Sequence, residues 1–98
     1  MNFFLREGVS YLSICGAHLL VPSRIASEAC KGILTLNFVE AVVWTQMERG
    51  KSPDEVAGTL ALLFMKSADE IAPMIRASLD KLCKYGFLIP VEDEHGSD

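Results

Sequence analysis

The sequence has no apolar run long enough to cross a bilayer, and it carries no motif of a common enzyme class. Half of its 98 residues are apolar, but no segment reaches the ~20 consecutive apolar residues of a membrane helix. It contains no GxGxxG, P-loop or HExxH motif, and no Ser, Cys or His lies in a triad-like pattern. We therefore expect no membrane association, no cofactor and no catalytic activity of its own.

Histidine and cysteine are too few and too scattered for a metal site. The histidines are His18 and His95, and the cysteines are Cys15, Cys30 and Cys83, with no CxxC pair among them. A structural zinc site needs close pairs of such ligands. An odd number of widely spaced cysteines is typical of reduced thiols in a cytosolic protein. The first residues also lack the basic leader and long apolar stretch of a signal peptide, so we expect a cytoplasmic protein without a bound metal.

Basic residues are not clustered. Lys and Arg number 9 and Asp and Glu number 13, for a net charge of −4. Four acids lie in the last seven residues, so the remainder is charge-neutral. Binding to a phosphate backbone requires clustered Lys and Arg, and we therefore expect no nucleic-acid binding. The length suits one domain, which we predict over 1–90, followed by a flexible acidic tail over 91–98.

The first third of the chain reads as three short strands. Residues 9–14 alternate, with Leu12 and Ile14 on one face and Tyr11 and Ser13 on the other. Gly16 can adopt a positive φ in a turn, and 18–21 reads as the returning strand of a hairpin. After a segment that is either a loop or one helical turn, the β-branched and apolar residues of 32–36 predict a third strand.

Three helix starts share one signal, which is a capping residue placed three positions before a Glu. The pairs are Asn37 with Glu40, Ser52 with Glu55, and Ser67 with Glu70. They predict helices over about 38–49, 53–65 and 68–85, with Gly50 and Gly86 as left-handed C-terminal caps. Pro73 predicts either a kink in the third helix or a later start near Ala72.

Each predicted helix carries an apolar stripe at helical spacing. The stripes are Val39, Val42, Val43 and Met47; Val56, Leu60, Leu63 and Phe64; and Ile71, Ile75, Leu79 and Leu82. Trp44, Leu62 and Met65 lie off these stripes. They either pack against Phe3-Phe4-Leu5 or form a contact patch for another protein or a second copy.

Strands followed by helices indicate an α+β fold with an antiparallel sheet. The predicted fold is winged-helix-like, with a three-stranded antiparallel sheet followed by three helices.

From Leu5 to Ile89 the sequence resembles the PqqD family, the stand-alone recognition elements for ribosomally synthesised and modified peptides. The matching segments are Leu5-Arg6-Glu7, Leu19-Leu20-Val21-Pro22, Ala26-Ser27-Glu28, Gly32-Ile33-Leu34-Thr35-Leu36-Asn37 with Trp44 seven residues later, Leu79 with Leu82, and Gly86-Phe87-Leu88. The sequence departs from the family pattern at Phe38, Glu40, Gln46, Pro73 and Met74.

The resemblance implies a winged-helix-like adaptor that performs no chemistry. Such a domain binds the leader of a precursor peptide and presents the peptide to a modifying enzyme, often a radical SAM enzyme. The leader adds as an extra strand beside the third strand and packs against the third helix.

The residues themselves are compatible with that binding mode. A strand with an open edge offers unpaired N–H and C=O groups to an extended peptide, and no later strand is predicted to cover the third one, although a symmetric partner could. On the third helix, four residues share one flank. The predicted peptide-binding residues are thus Ile33, Leu34, Thr35, Leu36, Met74, Ser78, Lys81 and Tyr85.

The predicted site residues also have alternative, purely structural interpretations. Met74 and Tyr85 could be the margin of the core and Lys81 a solvated charge, while the opposite flank, with Arg76 and Cys83, is a weaker candidate. A winged-helix DNA-binding regulator and a purely structural dimerising subunit remain alternative functions. Against DNA binding, the second helix carries no Arg or Lys, which a recognition helix would need.

Overall fold

The computed structural model describes residues 2–91. Its elements in chain order are β1 (Asn2–Leu5), β2 (Val9–Ile14), β3 (Ala17–Pro22), a 3₁₀ turn (Ala26–Glu28), β4 (Leu34–Leu36), α1 (Phe38–Glu48), α2 (Pro53–Phe64), α3 (Ala68–Lys84) and β5 (Leu88–Val91).

An antiparallel sheet with the strand order β2-β3-β4 precedes the three helices and confirms the α+β prediction. The hairpin between β2 and β3 turns at Cys15 and Gly16, with φ of 51° and 82°. Two successive positive φ angles define a type I′ turn, whose twist matches that of the flanking strands. The turn therefore fixes the register of the sheet, with Ile14 opposite Ala17.

The three predicted capping boxes are all present. In each, the side chain of Asn37, Ser52 or Ser67 accepts from a backbone N–H while the Glu three residues later accepts from the capping residue's own N–H. Gly50 and Gly86 follow α1 and α3 with φ of 85° and 89°, as predicted. The alternative start of α3 near Ala72 is wrong, because the helix is capped by Ser67 and continues through Pro73.

A second, two-stranded sheet was not predicted. It pairs β1 with β5 in antiparallel register, from Asn2 opposite Val91 to Leu5 opposite Leu88. Val91 belongs to this sheet, so its assignment to the tail is wrong. The remaining part of the predicted tail, 92–98, lies outside the described residues.

The helices and the inner face of the larger sheet enclose one core. Its largest fully buried side chains include Trp44 and Phe87, whose rings meet edge to face with centroids 6.4 Å apart. Leu62 and Met65 are exposed, so the prediction that they pack against the N-terminal segment is wrong for both. Leu63 is exposed as well, because it lies off the face of α2 on which Leu60 is buried and Phe64 packs against the core.

The period-two pattern of β2 is confirmed, and the structure determines which of its faces is inward. Tyr11 lies on the inner side, opposite buried Leu20, whereas Leu12 and Ile14 point outward and are exposed.

Within residues 2–91, none of the helices has the length and hydropathy to cross a membrane.

Candidate peptide-binding site

Strand β4 has an open edge in the part of the chain that the structure describes. It hydrogen-bonds to β3 on one side, and among residues 2–91 no strand pairs with its other side. An edge of this kind exposes backbone donors and acceptors that another extended chain can bind. The position of β4 as the third strand agrees with the prediction from sequence.

The hairpin register determines which backbone groups of β4 point outward. Hydrogen-bonded and non-hydrogen-bonded pairs alternate along an antiparallel ladder, and a two-residue turn closes on a hydrogen-bonded pair. Counting from Ile14 opposite Ala17 places Pro22, which has no N–H, at a non-hydrogen-bonded position. His18 and Leu20 are also at non-hydrogen-bonded positions relative to β2, so their N–H and C=O groups point toward β4.

On β4 the same alternation leaves Thr35 facing outward. Leu36 and Leu34 pair with His18 and Leu20, so their backbone groups are directed into the sheet. Thr35, opposite Leu19, therefore directs its N–H and C=O to the open edge. The prediction that a peptide pairs with all of Ile33 to Leu36 is thus too broad, because the backbones of Leu34 and Leu36 are engaged by β3.

Lys81 connects α3 to this edge. Its Nζ lies 3.5 Å from the carbonyl oxygen of Thr35 and 3.0 Å from Oε1 of Glu40. The contact with the Thr35 oxygen independently supports the outward direction of that carbonyl. The ammonium therefore lies over the one part of β4 where a peptide N–H would bind.

Glu40, predicted from the sequence as part of a helix cap and as a departure from the family pattern, also lies beside this edge. Its Oε1 accepts from the backbone N–H of Asn37 at 2.9 Å and from Lys81, and its side chain is 9% exposed. The same carboxylate therefore has two roles: it caps the start of α1, and it neutralises the charge of Lys81. The helix-start motif indicated the first role, but no local signal joins residues 41 positions apart.

Two of the four predicted residues on α3 remain partly accessible beside Lys81, and one is buried. Met74 and Tyr85 are half-buried at the margin of the core, and the carbonyl of Tyr85 accepts from the N–H of Lys31, just before β4. Ser78 is 3% exposed and donates to the carbonyl of Met74 at 3.0 Å. Its placement on an accessible flank is wrong, because it lies between Ile75 and Leu82 at helical spacing.

The side chains of β4 alternate in the same way. Leu34 and Leu36 are buried, whereas Thr35 is exposed, as is Ile33 directly before the strand. The candidate site accordingly brings together an outward backbone at Thr35, the ion pair of Lys81 with Glu40, and the half-buried side chains of Met74 and Tyr85.

A concavity of about 560 Å³ lies on the opposite flank of α3. It is bounded by α2, α3 and β1, and Arg76, Asp80, Asp54 and Pro53 line it together with apolar side chains. This is the flank of Arg76 that the sequence made the weaker candidate. It offers side chains of both charge signs to a ligand, together with apolar ones.

The described residues show no activated nucleophile and no metal cluster. Burial raises the pKa of the Cys30 thiol despite the nearby Arg6, and burial together with Asp80 raises the pKa of Cys83. These shifts favour the protonated thiol, which is the less nucleophilic form. Among residues 2–91, no group of three His, Cys, Asp or Glu could hold a metal ion.

Comparisons with known proteins give similarity in structure rather than in sequence. No protein-family model matches the chain, and no curated protein matches it. A structure of TbiB1 in complex with the TbiA(beta) leader peptide matches with a TM-score of 0.74 and 18% identity, over 91% of this chain and 98% of that one. A structure of lasso peptide synthetase B1 complexed with the leader peptide matches with a TM-score of 0.74 and 22% identity, over 92% and 100%.

The TM-scores of 0.74 show a shared fold, and the coverage shows that it extends over nearly the whole of each chain. The fold agrees with the resemblance to the PqqD family. The chain therefore has the fold of two proteins whose structures contain a leader peptide.

Proposed function

We propose that this protein is a non-catalytic adaptor that captures the leader of a ribosomally made precursor peptide. The leader adds as a strand to the open edge of β4 and rests on α3. The observation that carries the proposal is the outward N–H and C=O of Thr35, which lie beside a helix flank with partly accessible apolar side chains.

The structural neighbours support this proposal. Both share the fold over nearly their whole length, and both contain a leader peptide. Strand addition uses main-chain bonds for affinity and side-chain pockets for choice of sequence. It therefore tolerates the low sequence identity between this chain and its neighbours.

Within the site, each residue has a distinct proposed role. Thr35 supplies the backbone pair, and exposed Ile33 extends the edge toward the start of β4. Met74 and Tyr85 contact side chains of the leader, because a thioether adapts to varied apolar partners and a tyrosine ring has a polar tip. Lys81 borders the leader while paired with Glu40, and Leu34, Leu36 and Ser78 support the site from the core.

The second proposed partner of this protein, after the leader peptide, is a peptide-modifying enzyme. The family resemblance implies a radical SAM enzyme, whereas the second neighbour is described as a lasso peptide synthetase. Incubating the precursor and this protein with either enzyme distinguishes the two partners, since modification of the peptide should require this protein and one of them. The free thiols of Cys15, Cys30 and Cys83 suit a cytoplasmic adaptor.

Titration calorimetry with the leader of a precursor encoded beside this protein's gene tests the proposal. Met74→Asp and Tyr85→Ala should each weaken binding about ten-fold, or 1–2 kcal/mol, if their side chains are anchors. The melting temperature should change little. Arg76→Ala, on the opposite flank of α3, is the matched control and should bind like the parent.

Three outcomes would contradict the proposal. Parent-like binding by both α3 variants, together with weak binding by Arg76→Ala, would place the peptide in the opposite concavity. Unfolding of both variants would assign Met74 and Tyr85 to the core. A salt-dependent shift of duplex DNA by the parent protein would favour the DNA-binding alternative.

A further inference from the structure

The side chains behind the open edge of β4 are aliphatic on the outer face of the sheet. Thr35 points to this face, since Leu34 and Leu36 on either side of it are buried. Leu19 of β3 lies opposite Thr35, and Leu12 of β2 lies opposite Leu19, where it is 40% exposed. The outer face is therefore apolar up to the strand beside which a peptide would be added.

Ile33 extends this apolar surface along the edge itself. It directly precedes β4 and lies two residues from Thr35, the spacing at which side chains of an extended chain return to the same face. Its side chain is 63% exposed. Most of its apolar area is therefore in water, and covering it with another apolar side chain is favourable.

Strand addition determines which leader side chains reach these residues. Side chains that lie opposite one another on neighbouring strands share a face of the sheet, and successive side chains alternate between the faces. Leader residues opposite Ile33 and Thr35 therefore point to the outer face, and the residue between them, opposite Leu34, points inward toward α3. Tyr85 lies at this end of the inner face, because its carbonyl accepts from the N–H of Lys31 at 3.0 Å.

We propose that the leader segment that pairs with β4 contains three consecutive apolar residues, whose side chains point outward, inward and outward. This inference rests on the proposed function and specifies the chemistry of its ligand. The inward side chain contacts Tyr85, and the two outward ones contact Ile33 and the methyl group of Thr35. Ile33 thereby acts as a specificity-determining side chain in addition to extending the edge.

A sheet with a polar outer face would select a different leader sequence. On such a sheet only the inward side chains of an added strand find apolar pockets, so recognised residues alternate with tolerant ones. Strands that are buried on both faces are instead near-continuous apolar runs. The aliphatic outer face beside β4 therefore favours a continuous run over an alternating pattern.

A serine scan of the leader, measured by titration calorimetry with the full 98-residue chain, tests this inference. The leader is that of a precursor encoded beside this protein's gene, and one residue is replaced at a time. Three consecutive replacements should each weaken binding about three-fold or more. Losses at two positions that flank a tolerant residue would show an alternating pattern and would overturn the inference.

Ile33→Ser tests the outward contact from the side of the protein. It should weaken binding of the parent leader about three-fold, and clearly less for a leader that already carries serine at the outward position, because the contact is then already lost. Ile25→Ser is the matched control. It replaces an isoleucine that is 84% exposed but lies beside the 3₁₀ turn, and it should leave the affinity unchanged.

Thr35→Pro separates a failure of this inference from a failure of the proposed function. If Thr35→Pro binds the leader like the parent, the edge is not used, and both are overturned. If Thr35→Pro loses affinity while Ile33→Ser binds like the parent, strand addition stands and the outward contact is refuted. Equal losses from Ile33→Ser and Ile25→Ser would also refute it.

Discussion

The two flanks of α3 offer different chemistry to a ligand. Toward β4, the flank faces an open strand edge, with the Thr35 backbone outward and Lys81 lying over it. Toward α2, it lines a concavity of side chains that include Arg76 and Asp80. A concavity selects ligands by shape, whereas an open edge binds any extended chain through its main chain and leaves sequence choice to the flanking side chains. For an extended peptide, we therefore propose the β4 flank as the site, where Lys81 of α3 reaches the outward carbonyl of Thr35.

Among the variants that distinguish the two flanks of α3, Thr35→Pro should cause the largest loss of leader affinity. Proline removes the outward N–H and places its ring where the added strand would lie, while an edge strand tolerates the change. Leader affinity should fall about 100-fold, or nearly 3 kcal/mol, as measured by titration calorimetry.

Thr35→Val is the control for that variant. It retains the backbone N–H and the β-branched shape, so it should bind within about two-fold of the parent. Equal binding by the proline variant would show that the edge is not used.

Glu40→Ala should destabilise the fold by about 2 kcal/mol, because it removes a buried cap of α1 and leaves Lys81 without its carboxylate. Glu55→Ala removes the same capping element from α2, where the side chain is 57% exposed, and should cost clearly less. Urea unfolding measures both values. Equal losses would mean that the Lys81–Glu40 ion pair adds nothing to the β4 flank.

Lys81→Met tests whether charge matters at the edge. Since Glu40 already neutralises Lys81 at 3.0 Å, we expect leader affinity to change by less than about three-fold. Lys84→Met, on the same helix and exposed, should have no effect. A loss of ten-fold or more for Lys81→Met alone, measured by calorimetry, would show that Lys81 binds an acidic residue of the leader directly.

Acid should weaken the helix starts of α2 and α3 slightly. Hydrogen bonds from Ser52 and Ser67 lower the pKa of Glu55 and Glu70. A lowered folded-state pKa gives a contribution that is present above the ordinary pKa of Glu and lost as the pH falls through the folded-state value. The melting temperature of the parent should therefore fall more below pH 5 than that of Glu55→Gln with Glu70→Gln. Parallel curves would contradict this.

Local signals predicted much of the fold. Each capping box depends on residues three apart, and the hairpin turn depends on Gly16, so their interactions are visible in a short window. The β1–β5 sheet joins residues 2–5 to 88–91, a separation at which periodicity carries no information. Helical periodicity likewise gave the flank of Met74 and Tyr85, but not that Ser78 turns inward.

The site was predicted in outline and corrected in detail for the same reason. An apolar β-branched segment before a helix cap identified β4, and its unpaired edge followed from the order of the elements. Which of its backbone groups point outward depends on register across three strands. The pairing of Lys81 with Glu40 depends on how α1 and α3 pack, which neither helix encodes alone.

Amide hydrogen exchange at Thr35, with and without the leader peptide, is the most direct test of strand addition to β4. In the free protein, the Thr35 N–H should exchange quickly while those of Leu34 and Leu36, which bond to β3, are protected. Binding of the leader should slow exchange at Thr35 and leave Arg76 unchanged. Unaltered exchange at Thr35 in a saturated complex would contradict strand addition at this edge.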